Sequence, residues 1–348
     1  MSLNTLRLIA NAIYPVKRID RSAISEELLI EATELAKRNK VLLAFYDGLI
    51  NAGVTIPEYT IKMVEKETLR KKVFEDALVE IAEEAGLKGI EFMIIKSIKP
   101  FPYVGDDIDC LLPDRKSFAS FIDMLKSLGY RSIGGGPPEE TLVKYIKGMN
   151  VYMDVHRSLS ASYIPYVSVM RVWRRRERCK LDGFEVFIPS VADDILIIAG
   201  HSLLKEFRMN LAEFYHVLLS SQRVDWRQLT YLAQTEMMDY ALNIFIIIAH
   251  QIYQLLYDNE CSYFNLERDN ISLKVAYKFI KNSFKGEMRM PYHYPLFLPA
   301  IAYFNKLKTA ITSGRREALN LLVSFIKAPF TSKEGLNILW KYISRKIA

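Results

Sequence analysis

The sequence predicts an α+β (α/β) protein, with a small mixed β-sheet between N-terminal and C-terminal helical regions. Three observations carry this. Apolar residues recur at three and four through the first 86 or so positions. Short β-branched runs bounded by Gly and Pro then take over. From Ser190 onward helical periodicity returns. These changes divide the chain into a helical region (1–88), a sheet-bearing core (89–189) and a second helical region (190–348).

In the first region, Ser22 and Ser25 can cap a helix beginning near Glu26, with Leu28, Leu29, Ala32 and Leu35 on one face. Val41, Leu42, Phe45, Tyr46 and Leu49 form a second run that ends before Gly53. A third runs from Pro57 to about Ala85, with Gly86 as its stop. In the core, residues 90–95 read as a strand followed by Lys96-Ser97, and residues 107–112 as a second strand. Residues 117–128 read as an amphipathic helix ended by Gly129, and Gly134-Gly135-Gly136-Pro137-Pro138 as a loop. Residues 141–146 and 151–156 pair around Lys147-Gly148-Met149-Asn150, and 184–188 is the last strand. Ser190 opens the second helical region, with Asp193 and Asp194 where the helix dipole favours acids. Further helices are expected near 208–222, 226–235, 237–257, 272–284, 297–312, 315–327 and 333–346. No fixed-period repeat is present.

The chain has 348 residues and a net charge of +7, from 47 Lys+Arg against 40 Asp+Glu. That balance favours anionic partners such as nucleotides or RNA. Cys110, Cys179 and Cys261 lack metal-ligand spacing, which fits a reducing cytosol and argues against a zinc site or disulfide framework. The first sixteen residues lack the basic start, continuous apolar run and cleavage site of an export signal. The most apolar run, 241–256, is interrupted by Asn243, His250, Gln251 and Gln254, and reads as a core helix rather than a membrane span. The expectation is a cytoplasmic protein with no membrane partner.

Asp107-Ile108-Asp109 is the feature that points to chemistry. On a strand, Asp107 and Asp109 share one face while Ile108 and Cys110 take the other. Two adjacent carboxylates repel unless a cation sits between them, and Mg²⁺ suits carboxylate oxygen and phosphate. The alternative is a solvated strand edge or an Asx-type turn. In 151–156, Tyr152, Asp154 and His156 share a face opposite Val151, Met153 and Val155. An Asp inside an apolar strand needs a partner. A shared cation supplies one; an exposed position, or an ion pair to Arg157 or Lys147, is the alternative. Three carboxylates from two neighbouring strands can hold two cations.

The order of a strand, a small polar turn, an Asp-x-Asp strand and a third Asp on a later strand resembles the polymerase-β-type nucleotidyltransferases. More narrowly, the chain resembles the uncharacterised nucleotidyltransferase family within that superfamily. The matching segments are Phe92-Met93-Ile94-Ile95-Lys96-Ser97, Asp107-Ile108-Asp109-Cys110-Leu111-Leu112 and Met153-Asp154-Val155-His156. The likeness continues through Trp173, Leu181-Asp182-Gly183-Phe184-Glu185-Val186, Ile188-Pro189-Ser190, Ile198-Ala199-Gly200-His201 and Val224-Asp225-Trp226. It implies a small mixed-sheet nucleotidyltransferase core that transfers a nucleoside monophosphate from an NTP, ATP first among candidates, to a hydroxyl acceptor. The acceptor is an RNA, a protein or a small molecule. Two Mg²⁺ ions, with Mn²⁺ as a substitute, would sit on Asp107, Asp109 and Asp154, and Asp154 would help activate the acceptor hydroxyl. Lys96 and Ser97 would contact the triphosphate. From its strand face alone, His156 would orient Asp154 or contact substrate; a partly buried structural histidine is the alternative. One departure is plain: the family carries glycine after the first strand, and this chain has Lys96-Ser97 with no glycine before Gly105. The departure leaves room for an alternative, a catalytically degenerate module that binds RNA or a partner protein. A third option is a toxin–antitoxin-like component that modifies a protein hydroxyl.

Arg171, Arg174, Arg175, Arg176, Arg178 and Lys180 form the densest basic run, with Trp173 inside it. A solvated helix face anchored by Trp173 is the favoured reading over an RNA or phosphate contact. His201 reads as a core histidine, and Glu206, Arg208, Glu213 and His216 as an ordinary polar helix face.

Overall fold

The structure, a computed structural model, describes residues 2–16, 19–136, 139–161, 164–181, 184–264, 277–282 and 289–312. Four helices come first: α1 (Leu3–Ile13), α2 (Glu26–Arg38), α3 (Leu42–Asn51) and α4 (Glu58–Leu87). Ser25 caps α2 by accepting from the Leu28 N–H, and Glu26 and Glu27 then Lys37 and Arg38 complement the helix dipole at its two ends. α1 and α3 touch at Gly48, where a Cβ would lie 2.0 Å from the Ala12 carbonyl oxygen. Only glycine permits that approach.

The sheet has seven strands in the order β3-β4-β5-β2-β1-β9-β8. They are β1 (Met93–Ile95), β2 (Ile108–Leu111), β3 (Arg131–Gly136), β4 (Glu139–Ile146), β5 (Met149–His156), β8 (Glu177–Leu181) and β9 (Phe184–Ile188), with helix α5 (Arg115–Ser127) between β2 and β3. β2 runs antiparallel to β1 and parallel to β5, and β1 runs parallel to β9, so the sheet is mixed. The alternation on β5 follows its sequence: Val151, Met153 and Val155 are fully buried, while Tyr152 and Asp154 are half-buried on the other face. Lys147 and Gly148, both with positive φ, close the β4–β5 hairpin in two residues.

Three expectations need correction. The glycine run is not a loop: Gly134, Gly135 and Gly136 pair with Thr141, Glu140 and Glu139 after a bulge. Gly135 sits at φ 130°, and a Cβ there would lie 2.5 Å from the Glu139 carbonyl oxygen, so glycine makes this strand pairing possible. Pro137 and Pro138 lie outside the described residues. β2 starts at Ile108, so Asp107 sits in the bend before the strand. A short β6–β7 hairpin (Leu159–Ala161, Ile164–Val167) and a single-turn helix α6 (Val169–Arg174) follow β5, where periodicity gave no signal.

The second helical region contains α7 (Val191–Gly200), a π-helical turn His201–Glu206, α8 (Leu211–Ser220), α9 (Trp226–Thr235), α10 (Asp239–Tyr257) and a helix Phe297–Thr312. A two-residue ladder joins β10 (Arg208–Met209) to β11 (Tyr292–His293). The helices expected at 315–327 and 333–346 lie outside the described residues; of 272–284, residues 277–282 are described and helical. One hydrophobic cluster, running from Leu6 to Ala302, joins both helical regions and the sheet. Among the described residues α10 is the one helix long and apolar enough to cross a membrane, and 78% of its most apolar window is buried inside the protein. It packs on α1, α7, α8 and α9 as a core helix.

Half of the basic run is engaged with the fold, while Arg174, Arg178 and Lys180 are exposed. Arg175 grips the fully buried Asp193 with two bonds, Nε to Oδ2 at 2.9 Å and Nη2 to Oδ1 at 2.7 Å. Arg171 pairs with buried Glu236 at 2.7 Å. Arg176 stacks on Phe187 and Trp173, at 4.4 Å and 5.1 Å from the ring centroids. Arg178 pairs with Glu185. Trp173 is buried, as the core-anchor reading requires, but the second half of the run is strand β8 rather than helix.

Candidate functional site

The site forms where β1 ends, β2 begins and β5 nears its end, beside the second helical region. Parallel pairing of β2 with β5 places Asp109 opposite Asp154, and antiparallel pairing of β1 with β2 places Ile95 opposite Asp109. The residues after Ile95 therefore turn back over the carboxylates. These elements, Lys40 from the turn after α2, and residues 198–213 enclose a cavity of about 380 Å³. Asp107, Asp109, Asp154, Lys96 and Ser97 all line it.

Asp109 is 5% exposed. Its Oδ1 accepts from Lys96 Nζ at 2.7 Å and from His156 Nε2 at 2.8 Å. Burial alone would raise the Asp109 carboxyl; the Lys96 ammonium and the His156 imidazole overcome this and hold it far below the usual carboxylate range. Burial would likewise lower His156, but its bonds to Asp109 and Glu139 raise it. His156 Nδ1 lies 3.3 Å from Glu139 Oε2, and Lys205 Nζ lies 2.8 Å from the same oxygen. Burial would raise Glu139; its bond to His156 and the charge of Lys205 bring it down to about 2.

Asp107 is different. Burial, then the neighbouring Asp109 carboxylate, pushes it up to about 7, and Asp154 adds to the repulsion. Asp154 Oδ1 accepts from Thr141 Oγ1 at 2.7 Å. The alternative partner Lys147 pairs with Asp76 instead, at 3.0 Å.

Ligating atoms of Asp109, Asp154 and His156 lie within 4.8 Å of one another. The imidazole is held between two carboxylates in the form that favours protonation, so it positions Asp109 rather than offering a lone pair. The remaining donors of that group, carboxylate oxygens of Asp109 and Asp154, suit a hard divalent cation; Asp107 lines the same cavity but lies outside the group. Burial first and the neighbouring carboxylates second raise the Asp107 carboxyl, while Lys96 and Lys40 work against them.

The turn after β1 holds the departure from the family pattern. Lys96 has φ 58°, the left-handed region in which glycine is at ease. For a side-chain-bearing residue that conformation costs about 1–2 kcal/mol. The ion pair to Asp109 offsets it. The Ser97 N–H donates to the Ile95 carbonyl at 2.6 Å, closing a three-residue turn around Lys96. Ser97 Oγ donates to the same carbonyl and accepts from the Asp109 N–H, both at 3.1 Å. Ser97 thus ties the turn to β2, and its hydroxyl proton is committed to protein. Behind the turn, His216 Nε2 donates to Asp194 at 2.8 Å. Burial would raise Asp194, but His216, Lys99 and the Lys96 amide hold it down.

Five cavity residues are beyond what the pattern of residues suggested. The π-helical turn carries His201 and Lys205 into the cavity, and burial with the nearby Lys96 and Lys205 charges pushes His201 well below the ordinary imidazole range. Glu206 and Glu213 also line the cavity rather than a solvated face. Lys99, on the loop between β1 and β2, makes no ion pair among the described residues and lies 5.6 Å from the Tyr103 ring centroid. The other cations on the wall have carboxylate partners: Lys40 with Asp106 at 2.6 Å and Arg208 with Glu206 at 3.4 Å.

No protein-family model, curated protein or solved structure matches the chain.

Proposed function

We propose that this protein is a metal-dependent nucleotidyltransferase, moving a nucleoside monophosphate from an NTP to a hydroxyl acceptor. The observation that carries the reading is the register pairing of Asp109 with Asp154, with Asp107, in the bend before β2, lining the same cavity. Asp107, Asp109 and Asp154 would hold the divalent cation. Bound there, it would draw together the triphosphate and the acceptor oxygen and ease loss of the hydroxyl proton.

The chain's own residues do the rest. Thr141 holds Asp154 through one bond to Oδ1, which leaves Oδ2 and the second lone pair of Oδ1 to a cation or to the acceptor proton. His156 and Glu139 fix the Asp109 carboxylate in place. Lys99 supplies a point charge for the triphosphate. Residues 198–213 form the opposite wall, where an acceptor would enter. ATP is the favoured donor, RNA, a protein or a small molecule the acceptor, and the cytoplasm the favoured compartment.

One observation favours the second reading, a catalytically degenerate module that binds RNA or a partner protein: a lysine ammonium already sits on Asp109. Incubation with NTPs labelled at the α-phosphate, in cell extract with Mg²⁺, separates the two. Label transferred to RNA, protein or a small molecule, and lost in Asp109→Asn, supports the transferase. No transfer from any of the four NTPs, with nucleic-acid binding that survives Asp109→Asn, supports the module.

A further inference from the structure

We propose that Lys96 serves as a built-in cation of the carboxylate cluster, so that the site takes one divalent cation with the nucleotide rather than two. The inference rests on the nucleotidyltransferase reading and deepens it. Lys96 Nζ lies 2.7 Å from Asp109 Oδ1, and its side chain is 13% exposed. The same oxygen also accepts from His156 Nε2 at 2.8 Å. Two donors occupy both lone-pair directions of Oδ1. Asp109 therefore has one oxygen, Oδ2, left for a metal ion. Lys96 Nζ thus takes the place on the Asp109 carboxylate that a second ion would otherwise use.

The charges agree with this count. Before a nucleotide binds, the three carboxylates Asp107, Asp109 and Asp154 are balanced by the Lys96 ammonium and one divalent cation. A second divalent cation beside the Lys96 ammonium would place like charges against each other in a buried site. The backbone agrees as well. Lys96 sits at φ 58°, where glycine would be unstrained, and the Ser97 N–H bond to Ile95 closes the turn that aims its side chain back at Asp109. A lysine in that conformation makes sense only if its side chain has work to do at the carboxylates. Lys96 accordingly acts on the cluster rather than on the phosphates, and Lys99 is the lysine left for them.

The test counts Mn²⁺ and nucleotide held in the intact protein complex by native mass spectrometry, so that ion chelated by free nucleotide is not counted. The full chain is used, with a saturating ATP analogue whose α,β-bridge is methylene. Wild type is expected to bind one Mn²⁺. Lys96→Gly, which suits the left-handed turn, and Lys96→Met, which keeps the length and loses the charge, are each expected to bind two. Two Mn²⁺ in wild type would overturn the proposal while leaving the transferase reading intact. One Mn²⁺ in both variants would also overturn it, since the second position would then be closed for another reason. No Mn²⁺ in wild type even with the nucleotide would remove the transferase reading and this proposal together. The wild-type count decides even if a variant does not fold.

Discussion

Asp109 on β2 and Asp154 on β5 are register partners across a parallel strand pair, with Asp109 sealed at 5% exposure and Asp154 half-buried on the cavity side. Strand pairing alone brings the two carboxylates together. What differs between the cluster's members is how each is neutralised. Asp109 has Lys96 and His156, Asp154 has Thr141, and Asp107 has repulsion.

That repulsion sets a pH dependence. Asp107 rises from an ordinary 3.8 to about 7 on folding. The folded protein therefore holds a proton that the unfolded chain has released, and stability falls as pH climbs from 3.8 towards 7 and stays lowered above it. Asp107→Asn removes the penalty. Calorimetric unfolding is expected to show the variant more stable than wild type at pH 8 by about 1–2 kcal/mol, allowing for partial solvent screening. The gap should close below pH 4, and Mn²⁺ should narrow it at pH 8 by stabilising wild type alone. Equal stabilities at pH 8 without metal would contradict the crowding of this carboxylate.

Lys99 gives a prediction about the donor. Lys99 makes no ion pair among the described residues, although the Asp194 and Glu213 carboxylates act on its charge, and we assign its ammonium to a triphosphate. Lys99→Ala is expected to weaken binding of ATP with Mg²⁺ about tenfold, or about 1.4 kcal/mol. Burial lowers the Lys99 ammonium, so removing it should leave the thermal midpoint unchanged or slightly higher. Unaltered ATP affinity would return the phosphate role to another residue.

Arg175 tests whether the basic run is structural. Its two bonds to fully buried Asp193 neutralise a carboxylate that Ser190 also holds at 2.6 Å. Arg175→Ala strands that charge and should cost about 3 kcal/mol in urea unfolding. Nucleotide affinity of the folded variant should match wild type. A loss below about 0.5 kcal/mol, the usual effect of a surface substitution, would count against the buried pair.

Gly48 tests the packing of the first helical region. A methyl at that position would meet the Ala12 carbonyl at 2.0 Å, which requires α1 and α3 to move apart. Gly48→Ala should lose about 2 kcal/mol despite its better helix propensity. A stabilised variant would show that the helices do not approach this closely.

The α+β class, the order of helices, sheet and helices, and the faces of Val151, Met153 and Val155 against Asp154 were all readable from periodicity. Periodicity could not show Gly134–Gly136 as a strand, because glycines carry no side-chain pattern and their pairing depends on a close backbone approach. It also could not find the π-helical turn, which re-aims His201 from the expected core face into the cavity. The identity of Lys96 and Ser97 was plain, but not their use. A left-handed lysine bent onto Asp109, and a serine bonded back to Ile95, follow from three-dimensional closure of the turn. Lys99 escaped notice because a single lysine in a loop is informative only once its neighbours are found to be paired.

The most direct measurement is calorimetric titration of ATP into the full chain with and without Mg²⁺, for wild type and for the Asp107→Ala, Asp109→Ala double variant. The account predicts metal-dependent ATP binding to wild type that disappears in the double variant, with the variant still folded. ATP binding that is absent from wild type, or that persists without Mg²⁺ and without both aspartates, would contradict it.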